Sequence, residues 1–148
     1  MLHKGDVLVM INYDVCVVGG SCTGVFAAIN AAREGLNVCI IEGSNCFGGT
    51  ATAGMVNIWH TFYSSDYKER IIGGLSQEVI HSLAEKDAVI ETKNSPHRGY
   101  TFDSEQLKFI LDRMVIDAKI TPYLHTMFYG ADTDGGKITS ITVGNKDG

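Results

Sequence analysis

Short unbroken apolar runs alternate along this chain with longer stretches in which apolar residues recur every three or four positions. The first run, Tyr13-Asp-Val-Cys-Val-Val18, stops at Gly19-Gly20 and reads as a strand buried on both faces. Between Cys22 and Glu34 the residues Val25, Ala28, Ile29 and Ala32 fall at helical spacing, and Gly35 stands where a helix terminator is expected. Asn37-Val-Cys-Ile-Ile41 makes a second buried strand that ends on the charged Glu42. Strand, glycine turn, helix and strand in that order predict a parallel pair with a crossover helix, which is an α/β arrangement.

After Glu42 the periodicity stops. Residues 43–74 are rich in Gly, Ser, Thr and aromatics and are too long for a simple connector, so this stretch is expected to wrap something. Leu75, Val79, Ile80 and Leu83 resume helical spacing, and Leu107, Ile110, Leu111, Met114 and Ala118 mark one face of a stronger helix. Asp103 is its expected N-cap, with Gln106 placed to reach back to the cap as in a capping box. A hairpin closes the sequence: Ile120 to Tyr129 is extended, Asp134-Gly135-Gly136 supplies the turn, and Lys137 to Val143 alternates polar and apolar. Residues 1–12 carry no motif and read as an N-terminal extension in which Val7 to Ile11 would add an edge strand. Residues 13–148 read as one domain, without repeat or linker.

Composition narrows the function classes. With 148 residues, 45% hydrophobic, 20% charged and a net charge of −5, the chain resembles an ordinary globular domain and offers no basic field for nucleic acid or an anionic membrane. Val7 to Ile11 is too short for a signal-peptide core or a membrane span, which points to the cytoplasm. Cys16, Cys22, Cys39 and Cys46 show no metal-ligand spacing and are expected to be reduced thiols, Cys16 and Cys39 acting as small hydrophobes within strands.

Chemistry concentrates at Gly19-Gly-Ser-Cys-Thr-Gly24. A dinucleotide pyrophosphate needs close backbone approach and free N–H groups, and a helix N-terminus after a glycine turn supplies both. In the G-x-G-x-x-G fingerprint the second glycine lets the backbone approach the phosphates; Ser21 replaces it here, adding a Cβ and a hydroxyl able to donate to phosphate. Glu42, 23 residues beyond Gly19, stands where a carboxylate accepts hydrogen bonds from the adenosine ribose, with Gly43 beside it. Cofactor-binding candidates are therefore Gly19, Gly20, Ser21, Cys22, Thr23, Gly24, Glu42 and Gly43. The plainer reading is an ordinary strand-to-helix turn and a solvated strand end. NAD and FAD share the adenosine diphosphate site and are not separated by these residues.

Phe47-Gly-Gly-Thr-Ala-Thr-Ala-Gly54, Ile71-Ile-Gly-Gly-Leu75 and Tyr100-Thr-Phe-Asp103 follow in an order that resembles the FAD-dependent oxidoreductases of the glutathione-reductase-like superfamily over about residues 13–148. The resemblance implies a Rossmann-like FAD/NAD(P)-binding domain with a parallel sheet and a β-hairpin. It also implies FAD as cofactor, an unknown small-molecule substrate, and Gly48, Gly49, Thr50 and Thr52 along the ribityl chain and flavin. Members of that group continue into a T-G-D-type strand and a substrate domain. The chain is accordingly expected to be truncated relative to the family, or to rely on self-association or a partner chain to complete the flavin site.

Catalytic residues are not evident. His60 is the one histidine in the stretch expected near the flavin and is a weak candidate proton donor, with packing or surface placement of His60 and Trp59 the plainer reading. His81 is expected on a helix, His97 in a loop and His125 in a strand; no metal site is expected. Cys22 at a helix N-terminus is expected to have a lowered thiol pKa and mild reactivity. Two rivals stand beside the flavin reading: an NAD-dependent dehydrogenase, which requires a third parallel strand soon after Glu42, and a nonenzymatic interaction module that keeps the fold.

Overall fold

The structure is a computed structural model, and it describes residues 11–92 and 99–146. Residues 1–10, which hold most of the suggested edge strand, and His97 lie outside the described residues. In chain order the elements are β1 (Val15–Val18), α1 (Cys22–Arg33), β2 (Val38–Ile41), a 3-10 turn (Gly49–Ala51), β3 (Ile58–Trp59) and α2 (Leu75–Ala84). They continue with β4 (Val89–Glu91), β5 (Tyr100–Phe102), α3 (Ser104–Asp117), β6 (Thr121–Tyr123), β7 (Met127–Asp134) and β8 (Lys137–Gly144).

The expected βαβ unit is present: β1 and β2 pair in parallel from Val15↔Val38 to Val18↔Ile41, with α1 between them in sequence. Ser21 caps α1, its Oγ accepting from Gly24 N, and the helix ends at Gly35, whose φ of 88° suits a residue without Cβ. All four β2 residues are buried, because β2 lies between two neighbours, β1 and β6. β1 departs from the expectation of burial on both faces: Val15, Cys16 and Val17 are half-buried and Val18 is 50% exposed. It is an edge strand of this sheet among the described residues.

The single extended arm expected over Ile120 to Tyr129 is two strands. Thr121–Tyr123 pairs in parallel with β2, and only Met127 onward enters the hairpin. Pro122 has no N–H to give and is tolerated because β6 is also an edge strand. Between them the chain turns at Leu124-His125, with His125 at φ 51°, so His125 lies in a turn rather than a strand. The hairpin turn itself is as expected, with Gly135 and Gly136 both at positive φ.

A small antiparallel sheet, β3-β5-β4, was not foreseen; its strands of two or three residues are too short to show a period. It covers the core with aromatic rings: Trp59 lies 6.4 Å from Phe26 of α1 and 5.2 Å from Phe102, and Phe62 lies 4.9 Å from Tyr100. Below it α2 buries Leu75, Val79, Ile80 and Leu83, and α3 buries Leu107, Ile110, Leu111 and Val115. Met114 and Ala118 sit only partly buried at the margin of that face. Asp103 caps α3 by accepting from Glu105 N and Gln106 N at 2.8 and 3.0 Å. The return arm of the capping box is replaced, since Asp103 N donates to Ala88 O at 2.9 Å and so ties the helix start to the residue that precedes β4.

Candidate functional site

The strands β1 and β2 end side by side, and this brings Gly19-Gly20 next to Glu42. Gly20 N donates to Glu42 Oε2 at 2.7 Å and Ser44 N to Oε1 at 2.6 Å. Partial burial works to raise the Glu42 pKa, but the donors from Ser44 and Gly20 outweigh it and hold the carboxyl below its ordinary value. Glu42 is therefore an anion at neutral pH, braced by backbone on both oxygens. Thr126 N and His125 N donate to the Glu42 and Ser44 carbonyls, so the turn after β6 fixes this strand end from the other side.

The glycine turn is built for close approach. A Cβ on Gly24 would fall on the Gly19 carbonyl oxygen, so the first turn of α1 sits directly against the turn that precedes it. Gly19 has φ 103°, and among the described residues nothing lies within 4 Å of where its Cβ would be, leaving open space above the turn. Amides in the first turn of a helix have no intrahelical acceptor. That of Gly24 is taken by Ser21 Oγ at 3.3 Å. The exposed Ser21 hydroxyl accepts this bond and keeps its own hydrogen to give, and Thr23 is exposed beside it.

The doublet loop docks on this turn. Gly48 N donates to Gly20 O at 2.8 Å, and Ser21 and Gly48 form a parallel bridge. Gly48 and Gly49 take φ of 103° and 55°, and a Cβ on Gly49 would stand 3.4 Å from Ser21, in ordinary contact. Phe47, 2% exposed, anchors the loop from beneath. Thr52 is fully buried and donates to the Phe47 carbonyl at 2.6 Å, and Ser104 Oγ at the start of α3 donates to Ala51 O at 2.9 Å. Of the four loop residues singled out in the sequence, Gly48, Gly49 and Thr50 thus lie along the turn, with Thr50 exposed, whereas Thr52 faces inward and spends its hydroxyl on the loop itself. Ser104 and the turn after β6 were not foreseen as supports; their partners are distant in sequence, and no local signal marks them.

Gly43 is exposed and faces β7, where an added Cβ would stand 2.8 Å from Met127 Sδ. The expected activation of Cys22 is not observed. Burial pushes its thiol up to about 11 against the pull of its own backbone N–H, and Sγ donates to Gly48 O at 3.5 Å. It acts as a packing and bonding group between the two loops. His60 follows β3 with an exposed side chain, and Trp59 belongs to the aromatic cluster. Among the described residues no three His, Cys, Asp or Glu side chains group as metal ligands, and no helix is long and apolar enough to cross a membrane.

Residues 14–148 match the family model described as FAD dependent oxidoreductase. The chain belongs to that family. Solved structures with the same fold include THI4 of Thermovibrio ammonificans, at 18% identity and a TM-score of 0.59 over 89% of this chain and 47% of that one. A geranylgeranyl bacteriochlorophyll reductase-like protein of Thermoplasma acidophilum also matches at 18% identity and a TM-score of 0.59, covering 92% of this chain and 36% of its own. CabE, an aromatic hydroxylase from angucycline biosynthesis, matches at 14% identity and a TM-score of 0.61, covering 93% and 28%. This member of the FAD dependent oxidoreductase family thus spans less than half the length of each of these structures. The third parallel strand demanded by the dehydrogenase rival arrives only after α3, as β6, with the doublet loop and the aromatic sheet between it and Glu42.

Proposed function

We propose that this chain is the Rossmann-like FAD-binding part of a flavin-dependent oxidoreductase, and that Gly19, Gly20, Ser21, Thr23, Gly24, Glu42, Gly48, Gly49 and Thr50 form its cofactor cradle. The observation that carries this reading is the docking of the doublet loop on the glycine turn, Gly48 N to Gly20 O at 2.8 Å, beside the braced carboxylate of Glu42. A turn for the pyrophosphate, an acid for the ribose and a second glycine loop leading away from them form one continuous edge.

The residues fit an FAD. Open space over Gly19 and the N-terminal amides of α1 suit a diphosphate, with the Ser21 hydroxyl as an added donor. Glu42 holds ribose hydroxyls and disfavours a 2′-phosphate by charge. Without side chains, Gly48 packs against Thr52 and Gly49 against Ser21, which sets the loop close beside the turn, and Thr50 offers an exposed hydroxyl to a ligand there. Thr52, Phe47 and Ser104 keep that backbone in place from inside. Cys22 and Gly43 lie at the margins, the first bridging the loops and the second against Met127. When bound, the flavin supplies hydride or electron transfer, and the protein supplies position and electrostatics. The substrate, and the segment or partner chain that completes the ring end, belong to the whole oxidoreductase.

Calorimetric titration with FAD, FMN and NAD tests the reading. FAD is expected to bind most tightly, with FMN weak because it lacks the adenosine half. Binding of NAD in preference to FAD would move the assignment to the dehydrogenase class, and binding of none would leave the fold without this function.

A further inference from the structure

Cys16 of β1 and Cys39 of β2 are register partners on adjacent parallel strands. Val15, Val17, Val38 and Ile40 belong to or pack against the core shared with α1, so strand alternation puts both cysteines on the opposite sheet face. Both thiols are free, and the register sets them side by side on that face. Paired strands run about 4.8 Å apart, inside the roughly 4.4–6.8 Å between Cα atoms that a disulfide spans. Access is uneven: Cys39 is 2% exposed, whereas Cys16 on the edge strand is half-buried. Each cysteine stands three residues before a member of the adenosine site, Cys16 before Gly19 and Cys39 before Glu42.

We propose that Cys16 and Cys39 are a peroxide-sensitive dithiol whose cross-strand disulfide loosens the clamp between Gly20 and Glu42. The sulfur of Cys16 attacks one oxygen of hydrogen peroxide; the O–O bond breaks, water leaves, and Cys16 becomes a sulfenic acid. The sulfur of Cys39 then attacks that of Cys16, the S–S bond forms, and its proton leaves with the hydroxyl as a second water. Two thiols are oxidised by two electrons and one peroxide is reduced to two waters. Closing the bond demands Cβ atoms about 3.8 Å apart, nearer than the roughly 4.8 Å spacing of paired strands, so β1 and β2 must draw together at this pair. The displacement falls on the strand ends that carry Gly20 and Glu42. Burial and the Cys16 neighbour push the Cys39 thiol up to about 12, so Cys39 is the slow resolving thiol and the more accessible Cys16 is the one that meets peroxide.

The cofactor consequence rests on the flavin reading, while the cross-link rests on the strand register alone. The test treats the full reduced chain with hydrogen peroxide, alkylates the remaining thiols and maps peptides by mass without reductant. A Cys16–Cys39 peptide two hydrogens lighter than its parts is expected, together with an FAD Kd weakened about tenfold, the size of one charge-assisted hydrogen bond. Dithiothreitol should restore both, and C16A should abolish both. Four alkylatable thiols after treatment, or a bond between any other pair, would overturn the proposal. So would a Cys16–Cys39 bond that leaves FAD affinity unchanged. A reduced chain that binds no FAD overturns the flavin reading instead; the Gly20 amide resonance, which moves if the clamp opens, then decides this proposal by itself.

Discussion

Gly24→Ala separates the close-packing account from helix propensity, because the two predict opposite signs. Within a helix, Ala is better than Gly by about 0.5–1 kcal/mol, so an unconstrained Gly24 would yield a more stable protein. Here the new methyl group falls on the Gly19 carbonyl oxygen, a backbone atom that cannot rotate away as a side-chain end can. Overpacking of this kind costs roughly 1–3 kcal/mol, and the helix start must retreat from the turn. The net expectation is a loss of about 1–2 kcal/mol, read as a urea midpoint lower by about 0.5–1 M. FAD affinity should drop more than about tenfold, because the amides proposed to hold the pyrophosphate move with the helix. Gly35→Ala is the control. Gly35 sits at φ 88° with open space around it, so Ala there costs about 1–2 kcal/mol through backbone strain and leaves FAD binding unchanged. Unchanged or improved stability in G24A, with wild-type FAD affinity, would refute the reasoning.

Other substitutions probe separate parts of the site. Glu42→Gln should weaken FAD binding about tenfold or more through loss of charged hydrogen bonds. Because the folded Glu42 pKa is lowered, its contribution to stability is complete above the unfolded value of 4.5 and is lost as pH falls through the folded value. The urea midpoints of wild type and E42Q should therefore converge on acidification. Asp112 behaves oppositely: its Oδ1 is buried with no partner among the described residues and burial raises its pKa, so ionisation costs stability once pH exceeds the unfolded value of 3.8. D112N should be more stable than wild type at neutral pH and lose that advantage in acid, as followed by the same denaturation series. Thr52→Val should cost about 1–3 kcal/mol by leaving the Phe47 carbonyl without its donor, whereas Thr52→Ser should lose less; equal losses in thermal denaturation would show that the hydroxyl is not what holds the loop.

Much of the architecture was readable where the determinants are local. β2 and the three helices are marked by apolar runs and periodicity, the cap by Asp103, and the hairpin turn by Asp134-Gly135-Gly136. What escaped was set by partners far along the chain. Thr121–Tyr123 looks like the beginning of the hairpin arm until β2 claims it for the parallel sheet. Ala88 displaces Gln106 as partner of the Asp103 amide, and three very short strands gather into the aromatic sheet. At the site, residue types were legible and roles less so. Thr52 has the right hydroxyl for a ligand but turns inward, and Cys22 has a helix-terminal position but is desolvated. The glycines stand out in sequence because their requirement is steric and local, whereas the meeting of Gly20 with Gly48 is visible only in three dimensions.

The central claim, that the glycine turn, Glu42 and the doublet loop form a single cofactor cradle, is tested most directly by titrating the isotopically labelled chain with FAD. Amide resonances are followed by two-dimensional NMR. The amides of Gly19, Gly20, Ser21, Gly48 and Gly49 are expected to move together along one saturable curve. Shifts confined to the hairpin or to the aromatic sheet, or glycine amides that stay fixed while FAD binds, would contradict it.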